Sequence, residues 1–218
     1  MNARVLPVSE PAALEGSLPA SAGGFDERCF RRALGRFATG VVVISSGSGE
    51  HLHAMTANAF MSGSLKPPLI VVSVGHRARM HQRLMETSLF GVSVLSDQQE
   101  SHSRHFAGDA QSALAPRFAV VDGLPDVVLL EHAVARFAAR LVDRHPCGDH
   151  TLFIGEVLVF SLDEHAPLVF FGGRYASVAM ARCDRCQAVA TACAASGAPD
   201  PAQRCALPDI SRCRYANW

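Results

Sequence analysis

Two polar residues stand in this sequence where apolar ones would be expected to pack. The segment MTANAF (residues 55–60) sets Thr56 and Asn58 inside an otherwise apolar run. Alternate residues of a strand share a face, so Thr56, Asn58 and Phe60 are expected on one side and Ala57, Ala59 and Met61 on the other. A hydroxyl and a carboxamide on a half-buried strand need hydrogen-bond partners, or they cost stability. Interleaved with small alanines, they suit a flat polar heterocycle lying against the backbone. A polar face turned to water fits the same residues.

Further along, GHRARMH (residues 75–81) joins an expected strand to an expected helix. It places Arg77 and Arg79 beside the free N–H groups of a helix start, a usual seat for a phosphate. A solvated basic turn is the alternative. SLKPP (residues 64–68) adds Ser64 and a rigid bend. A ring platform and an anion site together are what a flavin nucleotide requires, since its pyrimidine edge offers acceptors and a donor that an Asn and backbone groups can match. GSGEHL (residues 47–52) stops after two glycines and sits in a turn between strands, so it is no dinucleotide-binding fingerprint. Residues 39–75 hold neither a charged catalytic pair nor a nucleophile elbow.

The elements that must position these groups follow from periodicity. DERCFRRALGRF (26–37) has helical spacing, with Asp26 as N-cap. VVVISS (41–46) and LHAMTANAF (52–60) flank a Gly/Ser turn and predict a hairpin. Strands are expected at LIVVSV (69–74), FGVSVL (90–95), VARFAARLVDR (134–144), HTLFIGEVLVFSL (150–162) and LVFFGG (168–173), and helices at RMHQRLMETS (79–88) and DQQESHSRHFA (97–107). The stretch before residue 134 reads as a loop rich in Gly and Pro. Many strands joined by short turns and single helices give a mainly β fold, an antiparallel barrel rather than a doubly wound sheet.

The 218 residues suffice for one full domain and would be cramped for two. Hydrophobic content of 49% with 18% charged residues indicates a soluble globular chain. Zero formal net charge argues against nucleic acid or an anionic membrane as the main partner. No apolar run has the length of a membrane helix and the first residues lack a signal-type core, so a cytoplasmic location is expected. Residues 1–24 read as a flexible arm, 25–182 as the folded domain and 183–218 as an Ala/Pro/Cys-rich tail. The seven cysteines are expected as reduced thiols. In the tail, Cys183-x-x-Cys186 with Cys193, Cys205 and Cys213 offers one half of a zinc site, but the remaining spacings match no regular pattern. No metal is expected.

From Phe30 to about Tyr175 the chain resembles the flavin reductase-like family with the FMN-binding split-barrel fold. These are the small reductase components of two-component aromatic monooxygenases, with phenol and 4-hydroxyphenylacetate hydroxylase reductases the nearest in pattern. The likeness rests on FRRALGRFATGVVVIS, MTANAFMSGSL, PPLIVVSVG, FGVSVLS, HFAG, GLP and GDHTLFIGEV in that order. It implies a homodimeric split β-barrel that reduces FAD or FMN with NADH, NADPH being the other possible donor. Reduced flavin would then diffuse to a separate FADH2-dependent oxygenase.

The same resemblance assigns flavin contacts to Thr39 and Gly40, to Met55, Thr56, Ala57, Asn58 and Ala59, to Ser62, Ser64 and Leu65, and to His76, Arg77, Arg79 and Met80. Gly148, Asp149 and His150 would lie beside the nicotinamide, with His150 orienting NADH. Phe106 and Tyr175 are candidates to wall the groove, or else ordinary packing residues. Hydride transfer asks the protein chiefly for positioning, which accounts for the missing acid–base pair. A split barrel that binds flavin without turning over NADH is the competing expectation.

Overall fold

The computed structural model describes residues 26–109 and 114–178. Residues 1–25, 110–113 and 179–218 lie outside that set, and with them the arm, the tail and its five cysteines.

The first helix, α1 (Glu27–Leu34), begins as its sequence requires: Asp26 Oδ1 accepts the N–H groups of Arg28 at 2.8 Å and Cys29 at 3.1 Å. Then come β1 (Thr39–Gly40), β2 (Val42–Ser46), β3 (His53–Ala57), β4 (Phe60–Leu65) and β5 (Pro68–Gly75). Next are α2 (Arg79–Glu86), β6 (Leu89–Val94) and α3 (Glu100–Phe106), the last entered through a 3-10 turn at Asp97–Gln99. The chain continues with β7 (Phe118–Val121), β8 (Leu124–Leu130), β9 (Ala135–Cys147), β10 (His150–Leu162), β11 (Val169–Phe171) and β12 (Arg174–Ala176).

Seven strands form one antiparallel sheet in the order β3-β2-β6-β9-β10-β5-β4. β3 and β4 are consecutive in the chain yet occupy opposite edges. Only Asn58 and Ala59 connect them, and three Cα–Cα steps reach at most about 11 Å. The sheet must therefore curl until its edges nearly meet, which makes a barrel with a seam at Asn58–Ala59. The Ser73 N–H fastens that crossing by donating to the Ala59 carbonyl at 3.0 Å.

This corrects the expectation for residues 52–60. The strand ends at Ala57, so Thr56, Asn58 and Phe60 do not share one strand face. A second correction concerns the supposed loop before residue 134, which contains the β7–β8 hairpin. Its Asp122-Gly123 turn, with Gly123 at φ 76°, is a hairpin signal the sequence carried.

Every residue of β2 is buried. Val42 and Ile44 face a core built with Val72, Phe90, Phe153 and the α2 residues Met80 and Leu84. Val41 and Val43 face a second core with Leu95, Leu130 and Leu168. Cover on both sides explains why VVVI reads as a continuous apolar run rather than an alternation. Gly155 lets the two long strands close over Phe90, since a Cβ there would lie 2.6 Å from its ring. Two further apolar stretches, 136–142 and 168–173, are partly consumed here: Ala138, Ala139, Leu141 and Leu168 are buried within the chain, while Val142 and Phe171 stay exposed.

Candidate functional site

The expected residues gather mainly at one end of the barrel, and the strand register shows why. β2 pairs Val42 with Ala57, so Thr39–Gly40, just before β2, lie at the end where Asn58–Ala59 leaves β3. β5 pairs Phe60 with Val72 through β4 and His150 with Gly75 through β10. The crossing, the turn that enters α2 and the Gly148–His150 hairpin therefore share that end. Ser62, Ser64 and Leu65 instead run down the β4 edge away from it. Ser64 Oγ accepts the Lys66 N–H at 3.1 Å, a bond that shapes the β4–β5 turn.

The rim next to β3 is bonded inward. Thr56 Oγ1 donates to the Ser103 carbonyl of α3 at 2.7 Å. Ser103 is fully buried, and its hydroxyl pairs with Tyr175 Oη at 2.8 Å. The Tyr175 ring meets Phe170 edge-on at 5.5 Å and lies 4.9 Å from the Arg104 guanidinium carbon. Glu100 Oε1 accepts from Arg104 at 2.9 and 2.6 Å. Tyr175 also belongs to the small sheet β1-β11-β12, where Thr39 pairs with Phe170. One network thus ties Thr39–Gly40 to Thr56.

Several assigned side chains are turned into the fold. Met80 is fully buried in the main core, which leaves its backbone alone for a ligand. Met55 and Ala57 pack against the same core, and Phe106 and Tyr175 pack on the second. For Phe106 and Tyr175 the packing alternative describes the observed contacts. What stays open at this rim is Asn58, Ala59 and the bare backbone of Gly40, all exposed; beside them Thr39 carries its Oγ1 inward. That hydroxyl is buried and has no hydrogen-bond partner among the described residues.

The other rim presents charge. Gly148 and Asp149 make the two-residue turn between β9 and β10, with Gly148 at φ 61°, a conformation that favours glycine. Asp149 Oδ1 bonds His150 Nδ1 at 2.7 Å, and the Asp149 carbonyl accepts the His76 N–H at 2.9 Å. The hydrogen bond from His150, then its charge, hold the Asp149 carboxyl below the usual carboxylate range. His150 keeps 45% of its side chain exposed, and its ring lies over the face of Gly75, which has no side chain to block it. His76, Arg77 and Arg79 are exposed where the chain enters α2, whose first turn has no side-chain cap. Arg79 also faces β3: burial, then the charges of Arg79 and Arg83, push the His53 imidazole below its ordinary value.

Two partners were missed from sequence: Ser103 and His81. Ser103 reads as one more polar residue in a polar helix. His81 sits among the residues of an amphipathic helix and joins Thr151 and His76 through contacts that only the fold creates. Among the described residues no group of three or more His, Cys, Asp or Glu could hold a metal ion, and no helix is long and apolar enough to cross a membrane.

Comparison with known proteins identifies the family. The family described as "Flavin reductase like domain" matches residues 34–179. An NADH-dependent flavin reductase of a Rhodococcus species is 44% identical over 151 residues, 68% of this chain and 84% of that protein. The reductase component of 4-hydroxyphenylacetate 3-monooxygenase from Thermus thermophilus is 39% identical over 68% of this chain and 95% of its own length. Among solved structures, the Streptomyces globisporus NADH:FAD oxidoreductase in complex with NAD and FAD fragments superimposes with a TM-score of 0.67 at 36% identity, covering 72% of this chain and 96% of that one. With its barrel, its ordered motifs and these relatives, the chain belongs to the flavin reductase-like family.

Proposed function

We propose that this chain is an NADH-dependent flavin reductase that delivers reduced FAD or FMN to a separate monooxygenase. The observation that carries the reading is the convergence of Thr39–Gly40, Asn58–Ala59, the α2 entry and the Gly148–His150 hairpin at one end of the barrel. The residues suit a flavin: Thr39 Oγ1 is buried without a partner among the described residues, the Gly40 backbone is bare, and Asn58 is exposed. Arg77 and Arg79 would take the phosphate at the uncapped first turn of α2. His150, oriented by Asp149, would hold NADH. When bound, the two nucleotides would supply the chemistry, hydride transfer from nicotinamide to flavin, while the residues of the chain would position them.

The same reading includes a homodimer. The apolar stretches 136–142 and 168–173 each bury part of their side chains within the chain, Ala138, Ala139, Leu141 and Leu168 among them. The better candidates for the interface are on β4 and the far half of β10, where Leu65, Phe160 and Leu162 are 66%, 63% and 66% exposed. Such a patch calls for a cover. Residues 25–182 would form the working domain, and the protein would act in the cytoplasm.

The test is oxidation of NADH and of NADPH by the purified chain with FAD and with FMN. Turnover that depends on added flavin and favours NADH is expected. In air the products should be reoxidised flavin and hydrogen peroxide, with no hydroxylated phenol until an oxygenase is added. Stoichiometric flavin binding without nicotinamide oxidation would replace the proposal with a binding module.

A further inference from the structure

His81 ends the GHRARMH segment but is not among the residues assigned to a ligand above. On α2, its Nε2 is 2.8 Å from Thr151 Oγ1. Its ring meets Phe153 edge-on at 5.4 Å and His76 at 4.9 Å. Burial, and then the charge of neighbouring His76, push its imidazole below the ordinary histidine value. A leucine or phenylalanine would fill the same space. Neither would bond Thr151.

Two routes lead from this ring to His150. Thr151 is buried and follows His150 directly in β10. His76 donates its backbone N–H to the carbonyl of Asp149, and the Asp149 carboxylate holds His150 Nδ1. His81 therefore touches the residue after His150 and, through His76, the residue before it. Strand alternation puts Thr151 and Phe153 on the inner face, against α2, and His150 on the opposite face with its cross-strand partner Gly75.

We infer that His81 is a positioning residue for the nicotinamide nucleotide. From α2, packed against Thr151 and Phe153 of β10, it holds the Gly148–His150 hairpin against the entry of α2, so that His150 is presented in one orientation. The inference rests on the reading that His150 contacts NADH, and its test separates the two.

The experiment is steady-state kinetics of the full chain with His81→Ala, His81→Gln, Thr151→Val, His150→Ala and the His81→Ala/His150→Ala double variant. His81→Ala should raise the KM for NADH about five- to tenfold while kcat and the KM for flavin stay within about twofold. His81→Gln, which keeps a polar nitrogen near the Nε2 position, should restore most of the loss. Thr151→Val, of nearly the same shape, should reproduce it. The double variant should be no worse than His150→Ala alone, because both substitutions remove one function. If His81→Ala fails to fold, Thr151→Val and His81→Gln still carry the test. A lower melting temperature with an unchanged KM for NADH would make His81 a packing residue and overturn the inference, as would additive effects in the double variant. If His150→Ala itself leaves that KM unchanged, the reading of His150 falls, and this inference with it.

Discussion

Thr56 and His150 are polar side chains on strands at the same end of the barrel, yet the fold treats them differently. The Thr56 hydroxyl is consumed within the chain by the Ser103 carbonyl, and Ser103 is locked in turn by Tyr175. His150 has one ring nitrogen fixed by Asp149 and nearly half of its side chain open. The first arrangement stabilises a rim, and the second offers a group to something else. A polar residue in an apolar run is thus no evidence of a ligand until its partner is known. Thr39, whose buried hydroxyl has no hydrogen-bond partner among the described residues, is the better candidate on the β3 side.

That contrast breaks most visibly if both rims respond alike to mutation. The largest effect is expected from Arg77→Ala/Arg79→Ala. Both arginines are exposed on the charged rim, so folding should not notice their loss. Two charge-assisted hydrogen bonds to a phosphate should disappear, weakening flavin binding about 30-fold with little change in melting temperature. Flavin fluorescence titration measures the first quantity and thermal unfolding the second. A drop in stability with unchanged flavin affinity would make these arginines structural.

Thr56→Val should give the opposite signature. It leaves the Ser103 carbonyl without this donor in a closely packed place, at a cost of about 1–2 kcal/mol. Tyr175→Phe removes the partner of a fully buried hydroxyl and should cost a similar amount. Urea unfolding reads both. The KM for NADH should stay put, because neither residue reaches the Gly148–His150 hairpin. If either variant kept full stability yet lost NADH affinity, the two rims would be one functional unit.

Much of the fold was legible in advance, and the failures have physical causes. Asp26 as a cap, the β2–β3 hairpin and the long β9 and β10 strands follow from local periodicity and turn chemistry. The end of β3 at Ala57 does not, because Asn58 and Ala59 continue the alternation of MTANAF while the chain crosses a seam defined only by the curled sheet. The β7–β8 hairpin was hidden behind its Gly and Pro residues, although Asp122-Gly123 marked the turn. At the site, GDH and GHRARM were legible as motifs. The inward turn of Met80 was not legible, since a methionine beside a ligand and one in a core look alike in sequence. The Thr56–Ser103 bond spans 47 positions, and nothing local announces it.

The smallest effect is expected at Asp149, and its direction follows from linkage. Its carboxyl is held below the ordinary aspartate value of 3.8 in the folded chain, chiefly by the His150 hydrogen bond. A group depressed by folding contributes stability above its unfolded pKa and loses that contribution as pH falls through the folded value. Asp149 is fully exposed, so the contribution is small. Wild type should therefore be slightly more stable than Asp149→Asn through the neutral range, and the two should converge only below pH 3.8. Urea midpoints measured across that range provide the comparison. If they converge instead well above that value, another group sets the pH dependence of the hairpin. His150 would then be held by its strand rather than by Asp149, and the charged rim would prove to be as pre-formed as the one built around Thr56.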